Sequence, residues 1–167
     1  MIGKGKSISH GVAALEYDLA KEINGQAVAT EIARHELYGC TGAEMVQEMK
    51  PYHIDFPNVK NNCLRFEVSP SIEESATFTD ADWAELGNDF MQRMGLANHQ
   101  YIIIRHSGTE SKKEQAHLHI LANRVSLSGE LYRDNWIGKK ATEAANAIAK
   151  ERNFVQSQDI GKVNKAE

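Results

Sequence analysis

The stretch "QYIIIRHSGTESKKEQAHLHILANRV", residues 100–125, constrains the fold more than any other part of the chain. Its two ends are rich in β-branched and apolar residues, the composition of buried strands. The link between them, "SGTESKKE", is eight polar residues long, whereas a parallel crossover needs about a dozen or more. The two strands therefore pair as an antiparallel hairpin. Side chains two positions apart on a strand share a face. His117, His119, Leu121 and Asn123 then point one way, and Leu118, Ile120 and Ala122 point the other way, into helices. His106 closes the first strand at the loop, so the hairpin brings it near His117. Three imidazoles converging from two neighbouring strands are ordinary ligands of a divalent cation. A His-x-His pair is equally compatible with boundary residues that only hydrogen-bond, and spacing alone leaves both readings open.

The remaining pattern supplies helices to cover such a sheet. "MIGKGKSISHG" reads as a strand or loop leading to a helix capped by Ser9, with Val12, Leu15, Leu19 and Ile23 at helical spacing. "QAVATEIAR" alternates as a strand, "TGAEMVQEMKPY" is a helix ending before Pro51, and "VKNNCLRFEVSPS" is a strand stopped by Pro70. "TDADWAELGNDFMQRMG" is a helix capped by Thr79, with Asp80 and Asp82 in its first turn and Gly95 as its stop. "NWIGKKATEAANAIAKERN" is a last amphipathic helix. The order strand, helix, strand, helix, strand, helix, strand, strand, helix predicts an α+β fold with a mainly antiparallel sheet flanked by helices.

At 167 residues the chain suits one domain with a substantial core. Nothing approaches the roughly 18 apolar residues of a membrane span, and no signal-peptide pattern opens the sequence. Cys40 and Cys63 lack Cys-x-x-Cys spacing and read as free thiols, for which the cytoplasm is the simplest setting. The net charge of −4 argues against a uniformly basic nucleic-acid binder. The acidic excess, however, lies in residues 31–94, with 12 Asp/Glu against 5 Lys/Arg, while residues 95–167 carry 11 Lys/Arg against 8 Asp/Glu. A basic surface built from the two ends is thus compatible with the total.

Taken together, "ALEYDLAKE", "TFTDADWAELGNDFMQRMGL", "QYIIIRHSGTE" and "AHLHILANRV" in this order resemble the mobilisation relaxases. These are His-hydrophobe-His (HUH) endonucleases that nick plasmid or transposon DNA at an origin of transfer, and the resemblance covers essentially the whole chain. It implies an HUH-type sandwich over residues 1–156, with residues 157–167 as a tail or the start of a linker to a further C-terminal region. It also implies a reaction, in which a helix-borne tyrosine attacks a phosphodiester of single-stranded DNA to give a 5′-phosphotyrosyl enzyme and a free 3′-OH. The matching tyrosine is Tyr17, and the matching metal ligands are His106, His117 and His119. A phenol is a weak nucleophile but a serviceable leaving group, which suits a reversible transesterification. Mg²⁺ or Mn²⁺ is the expected ion, with Zn²⁺ or Ni²⁺ also acceptable to three imidazoles. The implied partners are single-stranded DNA at the origin, accessory mobilisation proteins and a coupling protein; a monomer is the default for the chain itself.

Tyr38, Tyr52, Tyr101 and Tyr132 are rival nucleophiles, Tyr101 being better placed to pack in its strand. Lys4 and Lys6, beside glycines before the first helix, are candidates for phosphate binding, and a flexible basic N-terminus accounts for them equally well. Asn123 is a candidate for holding the histidine strand or touching DNA, with support the favoured role, and Arg124 reads as structural. His10, His35, His53 and His99 have no evident partners. Two departures from the family pattern stand out. An acidic residue commonly follows the first ligand histidine by two positions, orienting its ring; here that position is Gly108, and Glu110 is the nearest substitute. Many relatives also carry a histidine on the strand where this chain has Leu64 and Arg65. Alternatives to the nickase are a tyrosine-independent metallohydrolase and a DNA-binding module with a degenerate metal site.

Overall fold

The computed structural model describes residues 1–107 and 115–157. The expectations for Gly108, for Glu110 and, beyond Ser157, for the tail over 157–167 lie outside the described residues. Five strands, β1 (Ile2–Ile8), β4 (Ala29–His35), β5 (Cys63–Ser69), β6 (Tyr101–His106) and β7 (His117–Asn123), form one sheet. Their order is β1-β5-β7-β6-β4, and every pairing is antiparallel. The β6–β7 hairpin has the register its short link demands, with His106 opposite His117 and Ile104 opposite His119. Two further strands, β2 (Glu22–Ile23) and β3 (Gln26–Ala27), make a separate hairpin.

One face of the sheet is covered by helices α4 (Asp80–Arg93) and α5 (Ile137–Glu151). Trp83, Leu86 and Phe90 of α4 and Ala141, Ala145 and Ile148 of α5 pack on Leu64, Phe66, Val68, Leu118, Ile120 and Ala122. Each of the larger aliphatic and aromatic side chains contributes about 1.5–3 kcal/mol by leaving water, and each alanine methyl about 0.8 kcal/mol. A short helix, α3 (Ile72–Ser75), precedes α4. Gly3 and Gly5 of β1 face this layer. A Cβ at Gly3 would collide with the Ala141 carbonyl, and one at Gly5 would lie 2.7 Å from Phe66. Strand alternation then sends Lys4 and Lys6 to the opposite face.

That opposite face is only half covered. Helices α1 (Gly11–Leu19) and α2 (Gly42–Met49) bury Leu15, Met45 and Met49 against Ile8, Cys63, Ile102, Ile104 and Leu121. The polar residues of the same face, toward β1 and the His117 end of β7, stay outside this cover.

Several boundaries differ from the sequence expectation. Helix α1 starts after His10, not Ser9, and no side chain caps it. Ile23 lies in β2 beyond the end of α1, and "QAVATEIAR" divides into β3 and β4. Both shifts follow from Asn24 and Gly25, whose φ values of 53° and 79° make the tight turn that an Asn-Gly pair favours between strands. Helix α2 ends at Met49 as expected, but a 3₁₀ turn, Lys50–His53, carries the chain through Pro51.

Candidate functional site

The hairpin register and strand parity bring three histidines together at one end of the half-covered face. One ring nitrogen from each of His106, His117 and His119 lies within 4.8 Å of the other two. His117 Nε2 is 3.0 Å from His119 Nε2, and the His106 and His119 ring centroids are 4.3 Å apart.

Backbone carbonyls set how two of these rings stand. His106 Nε2 is 2.7 Å from the Asp18 carbonyl, and His117 Nδ1 is 2.7 Å from the Gln115 carbonyl. A carbonyl can only accept, so each facing nitrogen carries the hydrogen, and in a neutral imidazole the other nitrogen then keeps a lone pair. On His106 that other nitrogen, Nδ1, is buried and has no hydrogen-bond partner among the described residues. An orphaned acceptor beside two other imidazoles is what a cation site needs, so the three residues fit a divalent ion. Burial lowers the pKa of His106 and pushes that of His119 down to about 2, helped by the neighbouring histidines, Arg65 and Lys21. Both rings are neutral near pH 7, the form that ligates metal. Glu67 Oε1 stands 4.0 Å from His117 Nε2.

Tyr17 is 59% exposed on α1, one residue before the Asp18 whose carbonyl holds His106. Its hydroxyl accepts from Lys21 Nζ at 3.3 Å. The other tyrosines lie elsewhere. Tyr101 donates to Asn88 and Tyr132 to the Met94 carbonyl, both on the α4/α5 side. Tyr38 follows the His35 end of β4, which pairs with Tyr101 at the far end of β6 from His106. Tyr52 adjoins His53, whose Nε2 meets Asn123 at the far end of β7 from His117. Six residues of strand, roughly 20 Å, separate those ends.

Next to the histidines a groove of about 220 Å³ runs over β1, β5 and β7, lined by Lys4, Lys6, Arg65, Glu67 and His119. Its floor is two cross-strand rows, Lys4–Glu67–His119 and Lys6–Arg65–Leu121. Lys4 and Lys6 are exposed there, so the groove is cationic on a chain that is acidic overall.

Asn123 is fully buried. Its side-chain amide donates to the Met49 carbonyl and Gln100 Oε1 at 3.2 and 3.0 Å, and its Oδ1 lies 2.7 Å from His53 Nε2. Its side chain is closed off from solvent by these partners. Arg124 bonds the Tyr132 and Asn61 carbonyls. His35 and His99 also find carbonyl partners, those of His99 and Asn123. Sequence reasoning missed Asp18, Lys21, Gln115 and Arg65 at the site. Arg65 was marked as a departure from the family, and Asp18 carried a faint signal as an acid beside the candidate nucleophile.

The model of the family described as "Relaxase: MobA/VirD2-like, nuclease domain" matches residues 17–154. No curated protein and no solved structure matches the chain. No helix among the described residues is long and apolar enough to cross a membrane. The match begins at the exposed tyrosine, takes in the whole histidine cluster and runs just past the end of α5. An antiparallel sheet with its helices, a triad of converging imidazoles and a family match over most of its length together place this chain in the relaxase family, as a MobA/VirD2-like nuclease domain.

Proposed function

We propose that this relaxase domain nicks and rejoins single-stranded DNA at an origin of transfer, with Tyr17 as nucleophile and His106, His117 and His119 as ligands of Mg²⁺ or Mn²⁺. The observation that carries the assignment of Tyr17 is the 2.7 Å contact between the carbonyl of the next residue, Asp18, and His106 Nε2. It ties the last turn of α1 to the histidine cluster, while the rivals Tyr38, which is exposed, and Tyr52, which is half-buried, stand toward the other end of the strands.

In the nicking step a bond forms between the Tyr17 oxygen and the scissile phosphorus, and the bond from phosphorus to the 3′-oxygen breaks. The phenolic proton leaves and the 3′-oxygen takes one up, so the product is a 5′-phosphotyrosyl adduct and a free 3′-OH. The reverse displacement rejoins the strand, because the phenolate is itself a leaving group. A divalent ion held by the three imidazoles supplies a 2+ charge that polarises the phosphate oxygens. Lys4 and Lys6 hold backbone phosphates along the groove, and Lys21 places an ammonium beside the tyrosine oxygen. Asn123, buried between β7, Gln100 and the end of α2, keeps the histidine strand in register.

The test uses heat-denatured, sheared DNA of the replicon that encodes the chain, resolved on a denaturing gel with Mn²⁺ or with EDTA. The expected result is a metal-dependent covalent protein–DNA adduct that the Tyr17→Phe variant does not form. Metal-dependent cleavage with no adduct would instead make the chain a metallohydrolase. Neither cleavage nor binding of Mn²⁺ would make it a DNA-binding module with a degenerate site.

A further inference from the structure

Asp18 does two things at once. Its carbonyl accepts from His106, and its carboxylate, only 1% exposed, meets the Arg65 guanidinium of β5 through two bonds of 2.5 and 3.2 Å. We propose that Asp18 and Arg65 form a clamp that positions Tyr17 and His106 relative to one another. The proposal rests on the reading of Tyr17 as nucleophile.

Besides these bonds, α1 is tied to α2 by a 3.2 Å hydrogen bond from the Ala43 N–H to Glu16 Oε1. Helix α1 is nine residues long, has no side-chain N-cap bond and carries no acidic residue in its first turn. A helix this short has negligible stability of its own and takes its geometry from its contacts. Its apolar contacts, through Ala14, Leu15 and Leu19, hold it to the sheet, and the Asp18–Arg65 pair adds a directional tie to β5. A buried ion pair is a poor source of stability, since desolvating both ions offsets their attraction and an apolar pair would hold the helix as well. What a guanidinium fork on a carboxylate adds is geometry, two parallel bonds satisfied in one arrangement only. That arrangement puts the Asp18 carbonyl on His106 Nε2, which leaves the His106 lone pair on Nδ1, and it sets the neighbouring Tyr17 beside the cluster. Arg65 also lines the groove and is 22% exposed, so a phosphate contact is the rival role.

The experiment compares the wild-type chain with Asp18→Asn, Arg65→Gln, Arg65→Lys and the double variant Asp18→Asn/Arg65→Gln. Three quantities are read: the single-turnover rate of adduct formation at saturating denatured replicon DNA with Mn²⁺, the Kd for that DNA in EDTA, and the imidazole ¹⁵N spectrum of His106 in metal-free protein. A displaced nucleophile loses on the order of a hundredfold in rate. Each neutral single variant is therefore expected to lose about thirtyfold or more while Kd changes less than about threefold. The double variant is expected to be no slower than the slower single one, as partners acting as a unit are non-additive. The His106 spectrum is expected to lose its single Nε2-protonated form. Arg65→Lys keeps a cation against Asp18 but not the fork, so it is expected to stay folded and to be slow. An unchanged rate in Arg65→Lys overturns the clamp even if the neutral variants fail to fold. A raised Kd with an unchanged saturating rate, additive losses, or an unaltered His106 spectrum in folded variants overturns it as well. If Tyr17→Phe still forms the adduct, the proposed function falls, and the His106 spectrum still decides whether the clamp orients that ring.

Discussion

His119 and His106 are imidazoles kept neutral by burial, and that has a consequence for stability as well as for metal binding. Their folded-state pKa values lie below the unfolded value, so between the two the unfolded chain binds more protons than the folded one. Stability contributed by these groups is full above about pH 6.5 and is lost as pH falls below it. The window extends down toward pH 2 for His119. Between pH 6.5 and 5, above most carboxylate titrations, His119 contributes a slope of roughly 1 kcal/mol per pH unit and His106 adds to it in the same direction. Urea denaturation of metal-free protein at several pH values should therefore show falling stability through this range, with a shallower slope in His119→Gln. A pH-independent midpoint between pH 6.5 and 5 would mean that these rings are solvated. The three ligand candidates were legible because strand parity and a short link are local rules. Asp18 and Gln115 act on the site through backbone carbonyls, which side-chain identity does not reveal. Arg65 meets Asp18 across 47 positions of sequence, a distance over which no pattern of spacing operates.

Among the elements, α4 was the most legible and α1 the least. Thr79 and Asp82 close a capping box and Gly95 takes a φ of 78°, so both ends of α4 are written in its own residues. Helix α1 starts at a glycine without a cap, and its limits come from tertiary contacts instead. Inside α4, Gly87 lies against β6, where a Cβ would come 2.6 Å from Ile103 Cδ1. An alanine there gains about 1 kcal/mol in helix propensity but overpacks the core at a cost of about 1–3 kcal/mol. Chemical denaturation of Gly87→Ala should show a net loss of about 1 kcal/mol, whereas a gain would mean that α4 is free to shift. Trp136, at the start of α5, is the opposite case. It is 77% exposed, has a φ of 59° and caps nothing through its side chain. Trp136→Gly removes the left-handed strain while giving up little buried surface, so thermal unfolding should show a gain of about 0.5–1 kcal/mol.

For the whole molecule, net charge misleads and its placement informs. A chain of net charge −4 presents Lys4, Lys6 and Arg65 on a groove that ends at the histidines. If both lysines neutralise phosphates, each removes about 0.7 from the slope of log affinity against log salt for a single strand. The Lys4→Ala/Lys6→Ala variant should thus bind single-stranded DNA with a slope about 1.4 shallower than wild type, and an unchanged slope would place the strand elsewhere. The sheet, its hairpin and its helical cover were readable as an α+β pattern, but which half of the second face stays open depends on where α1 and α2 settle. The central claim joins the two ends of the fold, a tyrosine near the N-terminus and histidines from the last hairpin. Its most direct measurement is peptide mapping by mass spectrometry of the nuclease-trimmed covalent adduct formed in Mn²⁺. The expected result is a nucleotide remnant on Tyr17 in the peptide "ALEYDLAKE". A remnant on Tyr38 or Tyr52, or metal-dependent nicking with no modified tyrosine, would contradict the account.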